Sequence, residues 1–293
     1  MVNILVTGAN GQLGSELKTI YKKGLFKFDK PVNFVFTDVD TLDISHSIFL
    51  KKYIQDHSFN YVINCAAYTN VDQAESEKDA AFNINANCVK NIVEAINGQT
   101  KFIHISTDYV FDGNNHIPYT EDMPTSPQSI YGASKLKGEE YAQNYKNSII
   151  VRTSWLYSSF GRNFAKTIHK LCKEKESLDV VFDQIGTPTY AFDLAIAILQ
   201  IVKQSISDNR FIPGIYHFSN EGVCSWYDFA KIIADKSYSK CKINPIESKD
   251  YPAPVKRPFY SVLNKHKIKK VYNIEIPHWQ DSLDEFFKNL NNN

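Results

Sequence analysis

The chain has 293 residues, 43% hydrophobic and 22% charged, a balance that excludes a disordered or fibrous protein and leaves room for one large domain or two lobes. Its formal net charge of +1 gives no electrostatic basis for nucleic acid or an anionic membrane as partner. Five dispersed cysteines, Cys65, Cys88, Cys172, Cys224 and Cys241, form no CxxC pair, which argues against a disulfide framework and a thiolate metal site. The start "MVNILVTG" lacks the basic segment and cleavage site of a signal peptide. No apolar run approaches the ~18 residues of a membrane span. The expectation is a reduced, cytoplasmic protein. The tail "NLNNN" reads as compositional bias.

The first half alternates strand and helix. "VNILVT" (2–7) is a continuous run of the kind buried on both faces of a sheet. "GQLGSELKTIYKK" follows with Leu13, Leu17 and Ile20 at helical spacing. Then come "NFVFTD" as a strand, "SIFLKKYIQDH" as a helix, "YVINCAA" as a strand, "DAAFNINANCVKNIVEAIN" as one long helix and "KFIHIST" as a strand. A helix near 130–145 and the strand "SIIVRTS" complete the series. Repeated β-α-β units with right-handed crossovers predict an α/β fold, a Rossmann-type doubly wound parallel sheet covered on both faces. Residues 1–155 would form this unit. Residues 156–293 would be mainly a smaller lobe, with segments near 178–203 returning to the first.

In that second half, "NFAKTIHKLCKEK", "AFDLAIAILQIVKQ" and "SWYDFAKIIADK" read as helices, the last capped by Ser225, and "GIYHFS" as a strand. The stretch 245–264, with Pro245, Pro252, Pro254 and Pro258, reads as an extended loop. Ligands of open parallel sheets bind at the carboxyl ends of the strands. That rule selects Thr7-Gly8, Asp38, Cys65-Ala66-Ala67, Ser106-Thr107 and Thr153-Ser154-Trp155.

The first βα turn, "TGANGQLGSEL", carries Gly8, Gly11 and Gly14. Glycines there permit a tight turn and let backbone approach a pyrophosphate at a helix N-terminus. A glycine pattern alone is weak, but its place after the first strand of an alternating chain favours a dinucleotide. Asp38 ends the second strand, where a carboxylate can bind ribose hydroxyls and repel a 2′-phosphate, which taken alone favours NADH. The alternative is a helix-leading Asp in "TDVDTLDIS", where Asp43 or Ser45 could also cap.

Tyr131 and Lys135 lie four apart in "YGASK" and so share a helix face. A cation beside a phenol favours the phenolate, and a tuned Tyr can donate its proton to a carbonyl oxygen as hydride arrives at carbon. Thr107, at the end of the fourth strand, could hold the same oxygen. Singly, each residue suits an ordinary structural role. Their order after a phosphate loop makes them a candidate site. Gly132 and Gly138, each costing a helix about 1 kcal/mol relative to Ala, would let cofactor or a neighbouring segment come close.

These residues resemble the extended short-chain dehydrogenase/reductase superfamily. "VTGANGQLG", "NCAAYTNVDQAE", "STDYVFDG", "YGASKLKGE", "RTSWLY", "GRNFAKT" and "DQIGTPT" together resemble the dTDP-4-dehydrorhamnose reductase family over nearly the whole chain. The resemblance implies a final, NADPH- or NADH-dependent reduction giving dTDP-L-rhamnose. It implies that Gly11, Gln12 and Leu13 contact the cofactor pyrophosphate, that Asp38, Asp43 and Ile44 line the adenosine, and that Ala66, Ala67, Tyr68 and Thr69 pass along the cofactor. Thr107, Tyr131 and Lys135 would be the catalytic set, with Lys135 also on the nicotinamide ribose. Thr107, Asp108 and Trp155 would contact the sugar, and Asn163 and Arg257 the nucleotide diphosphate, with capping or surface charge as the alternative for these two.

Some relatives dimerise through Mg2+ held by glutamates. Glu16 matches the first such position, but the second falls near Phe192 and Asp193, so a metal-bridged dimer is not expected and a homodimer of another kind stays open. Two rival readings remain: a non-catalytic regulatory subunit of the same fold, like the β subunit of methionine adenosyltransferase, and a sibling nucleotide-sugar epimerase or dehydratase. Dehydratases place acidic residues after the strand-end Thr; here Asp108 is followed by Tyr109, which fits a reductase better.

Overall fold

Five alternating strands, β1 (Val2–Thr7), β2 (Val32–Thr37), β3 (Tyr61–Asn64), β4 (Lys101–Thr107) and β5 (Ser148–Thr153), build the central sheet. A sixth strand, Gly214–His217, adds beside β5, giving the spatial order Gly214–His217, β5, β4, β3, β1, β2. All five pairings are parallel. The computed structural model describes residues 1–291, so the last two residues of the Asn-rich tail lie outside the description.

Alternation along each strand feeds two cores. Ile4, Val6, Ile103 and Val151 face helix α1 (Gln12–Lys22) and helix Ala191–Ser207, which bury Leu13, Leu17, Ile20, Leu194 and Ile198 among them. Leu5, Val62, Phe102 and Ile150 face the other way, toward Leu50 and Ile54 of α2 (Ser47–His57), Val89 and Ile92 of helix Cys88–Ala95, and Ala142 of helix Ile130–Gln143. Full burial of each such side chain contributes roughly 1.5–3 kcal/mol, which is why a run like "VNILVT" can only be a central strand. The strand order turns back at β1, so the crevice beside β3 is where a ligand of such a sheet binds.

The segment read as one helix over 79–97 is broken. It runs as helix Lys78–Phe82, a π-helical turn Asn83–Asn87, and helix Cys88–Ala95. Asn83, Asn85 and Asn87 are weak helix formers that prefer local polar bonds, and the wider turn frees the Asn85 side chain to reach outside its own helix.

The C-terminal lobe packs helices Phe164–Glu174, Trp226–Lys236 and Trp279–Asn291 around Tyr157, Tyr190, Phe229 and Phe286. Ser225 and Asp228 form a reciprocal capping box at the second of these. The stretch expected to be loop begins inside a strand, Lys242–Ile246, which pairs with Ser177–Val181. Pro245 is tolerated there because a two-stranded pair has a free edge that needs no ladder N–H. Among the described residues no helix is long and apolar enough to cross a membrane, and the five cysteines are free thiols.

Candidate active site

The glycine loop presses against the exit of β3. Gly8 has φ +67°, and a Cβ there would lie 2.5 Å from the Ala66 nitrogen. Gly11 caps α1 with no side-chain bond, so the first-turn N–H groups of Gln12 and its successors stay available to an anion. Leu13 and Gly14 are buried; any cofactor contact from Leu13 runs through its backbone. Asp38 is tied into the same loop. Its Oδ2 accepts the Asn10 N–H and its Oδ1 the Val39 N–H, each at 2.8 Å. Asp43 Oδ1 accepts the Ser45 N–H at 2.9 Å, which holds its carboxyl below the usual range. The Ile44 carbonyl accepts the Asn91 amide at 3.0 Å.

Residues 66–69 leave the sheet between loop and helix. Asn85 Oδ1 accepts the Tyr68 N–H at 2.9 Å, and its Nδ2 donates to the Tyr68 carbonyl and to Ser134 Oγ at 3.0 and 2.9 Å. Asn85 and Asn91 escaped the sequence reading. The available signal was five asparagines inside a segment of helical periodicity.

Ser129 caps helix Ile130–Gln143, its Oγ accepting the Gly132 N–H at 3.1 Å. Gly132 and Gly138 have packing reasons. A Cβ on Gly132 would meet the Tyr109 carbonyl oxygen at 2.3 Å, and one on Gly138 the Asn85 carbonyl oxygen at 2.1 Å. The helix carrying Tyr131 and Lys135 is thereby drawn onto the segment after β4 and onto the π turn.

Thr107 ends β4 and donates to Asp108 Oδ1 at 2.9 Å. Burial pushes the Asp108 carboxyl up to about 7 against several hydrogen bonds, the Thr107 hydroxyl first among them. Burial likewise pushes the Tyr131 phenol up to about 12, while the Thr107 hydroxyl pulls it down and the Asp108 charge raises it. The expected lowering of Tyr131 by Lys135 is thus corrected: the influences on the phenol are burial, the Thr107 hydroxyl and the Asp108 charge, and it keeps its proton at neutral pH. The edge-on Tyr109 ring packs 5.4 Å from Tyr131. Lys135 is 2% exposed, and its Nζ donates to the Ile105 carbonyl at 2.6 Å. Burial draws its ammonium down to about 8, with Glu139 acting against this.

Trp155 sits at φ +48°, an uncommon conformation for a bulky residue. One face of its indole is stacked on Trp226 at 3.5 Å, and Gly186 abuts its benzo edge. Asn163 follows its capping alternative. Its Oδ1 accepts the Lys166 N–H at 3.0 Å, and its Nδ2 donates to the Ser158 carbonyl at 2.7 Å and to Gln12 Oε1 at 3.0 Å. With both polar atoms engaged, Asn163 fastens a C-terminal-lobe helix to the glycine loop. Arg257 Nη2 donates to Asp72 Oδ2 at 2.6 Å, while its buried Nη1 has no partner.

Glu16 is 3% exposed and accepts from Ser158 Oγ at 2.6 Å. Asp193 accepts from Asn220 Nδ2 at 2.7 Å. Both carboxylates are engaged inside the chain. Among the described residues no group of three or more His, Cys, Asp or Glu is placed to hold a metal ion.

The glycine loop, Asp38 and Thr107 thus lie at the carboxyl ends of β1, β2 and β4, and the helix that carries Tyr131 and Lys135 packs on the segment after β4. The family model described as "RmlD substrate binding domain" matches residues 2–292. The chain belongs to the RmlD substrate binding domain family. Its relatives include the spore coat polysaccharide biosynthesis protein SpsK of Bacillus subtilis, 40% identical over 290 residues and covering 98% of each chain. A dTDP-4-dehydrorhamnose reductase from Aggregatibacter actinomycetemcomitans is 39% identical, covering 97% of each. Among solved structures, the dTDP-4-dehydrorhamnose reductase of Bacillus anthracis, in complex with NADP, superimposes with a TM-score of 0.90 at 37% identity, covering 99% of this chain and 100% of that one. The RmlD family's full-length agreement reaches the C-terminal lobe and so extends beyond the shared nucleotide-binding fold.

Proposed function

We propose that this chain reduces the C4 ketone of dTDP-4-dehydro-6-deoxy-L-mannose to give dTDP-L-rhamnose, using NADPH or NADH. The observation that carries the reading is Thr107 at the end of β4 together with Tyr131 and the buried Lys135 on one helix, in a chain that matches a reductase of this name over 97% of its length. The crevice suits a dinucleotide: the uncapped start of α1 offers N–H groups to a pyrophosphate, and Gly8 lets the loop close onto the exit of β3. When bound, the reduced nicotinamide supplies the hydride. On charge alone Asp38 favours NADH; the Bacillus anthracis relative holds NADP. Free thiols support a reducing, cytoplasmic setting.

The protein's own residues handle the proton. Tyr131 enters the reaction protonated, which a reduction needs, because the carbonyl oxygen gains a proton as carbon gains hydride. Its high pKa still leaves it far more acidic than the alkoxide it protonates. Lys135 brings positive charge close to the oxygen and the ribose, where it stabilises the phenolate left behind. Thr107, between Asp108 and Tyr131, orients the carbonyl. Asp108 and the exposed side of Trp155 face the sugar. Arg257, with its unpartnered Nη1, takes the diphosphate through paired bonds, and Asn163 supports the loop that binds the cofactor.

Tyr131→Phe removes the proton donor alone. The expected result is a kcat lower by about 10²–10⁴-fold with nearly unchanged cofactor binding by fluorescence titration. A variant with near-normal kcat would sink this assignment.

A further inference from the structure

Helix Ile130–Gln143 carries a second buried ionic group one turn beyond Lys135. The side chains of Glu139 and of Arg152, on β5, are 0% and 2% exposed. Arg152 Nε and Nη2 donate to the two Glu139 carboxylate oxygens at 2.8 and 2.7 Å. The Phe111 ring covers the guanidinium, 4.9 Å from its centroid. A fully buried ion pair seldom adds net stability over an apolar pair of the same shape, so this one invites a functional reason.

Lys135 supplies it. Residues four apart share a helix face, so the Glu139 carboxylate and the Lys135 side chain lie on one side of the helix. Among the described residues the Lys135 ammonium makes one hydrogen bond, to the Ile105 carbonyl. An ammonium so buried tends to lose its proton. The other titratable groups acting on it are Cys65, just past β3, and His104, on β4; burial keeps both neutral at pH 7. Glu139 is the carboxylate that counters the cost of burial at Lys135.

We propose that Glu139, fixed in place by Arg152, is a positioning residue for the reduction: it holds Lys135 in its charged form within the site. The inference rests on the roles given above to Tyr131 and Lys135. Arg152 fixes both carboxylate oxygens on the β5 side of the helix.

The test uses the full chain with NADPH and the dTDP-4-keto sugar, recording kcat/KM against pH. Activity that needs the Lys135 ammonium falls as pH rises through its pKa. In Glu139→Gln the alkaline limb should move down by about 1 pH unit or more, and Glu139→Asp should recover part of the shift. Because Glu139→Gln leaves Arg152 buried without its carboxylate, the double variant Glu139→Gln, Arg152→Met is measured beside it. The downward shift should persist in that variant, whose folding is checked by thermal melting. A titration of 13Cε-labelled lysine by NMR, with Lys135 assigned through Lys135→Met, reads the same shift without turnover. Folded variants whose alkaline limb and Lys135 titration both stay at the wild-type position would overturn the proposal. A wild-type chain that fails to reduce the ketosugar would count against the reaction and not against this coupling, which the NMR titration reads by itself.

Discussion

Asp108 shows how a residue's chemistry depends on where the fold puts it. Read along the chain, it is an acid after a strand-end Thr. In the structure it is 4% exposed, its carboxyl is raised to about 7 by burial, and its Oδ2 has no partner. A carboxyl with a raised folded pKa binds its proton more tightly in the folded than in the unfolded chain. Its contribution to stability is complete below about pH 4 and is lost as pH rises through about 7. Asp108→Asn removes the titration while keeping an acceptor for the Thr107 hydroxyl. Thermal melting should show a higher Tm for the variant than for wild type at pH 8 and little difference at pH 4; equal differences at both pH values would contradict the assignment. The places of Thr107 at a strand end and of Tyr131 and Lys135 on one helix were legible because strand end and i, i+4 spacing are local properties. The pKa of Tyr131 was not, because desolvation is set by elements distant in sequence.

At the scale of elements, the site helix shows why two glycines persist in a helix interior. Gly138→Ala should raise intrinsic helix propensity by about 1 kcal/mol. It would also place a Cβ 2.1 Å from the Asn85 carbonyl oxygen, and backbone cannot step aside cheaply. Overpacking of this kind costs typically 1–3 kcal/mol, so a net loss of stability is expected, seen as a lower urea midpoint. An unchanged or higher midpoint would mean that the π turn does not press on this helix. Central strands and flanking helices could be read from periodicity. The break at Asn83–Asn87 could not, because apolar spacing continues through it and only the bonds made by Asn85 explain the wider turn.

At the scale of the whole molecule, distant segments of the chain meet in one sheet. That Gly214–His217 completes the central sheet was hidden, since a short apolar strand does not reveal its long-range partner. Arg257 crosses from a loop of the second half to Asp72 in the first. If it also takes the substrate diphosphate, Arg257→Lys loses the planar fork and should raise KM for the dTDP sugar by about tenfold, with kcat changing much less. A KM within twofold of wild type would remove Arg257 from the substrate site. Turnover separates a reductase from a regulatory subunit of the same fold. The most direct measurement follows NADPH and NADH oxidation at 340 nm with enzymatically made dTDP-4-keto-L-rhamnose, and with the UDP sugar as control. Oxidation stoichiometric with dTDP-L-rhamnose and faster with the dTDP sugar is expected; a folded protein that binds the dinucleotide and oxidises none of it with either sugar would contradict the reductase assignment.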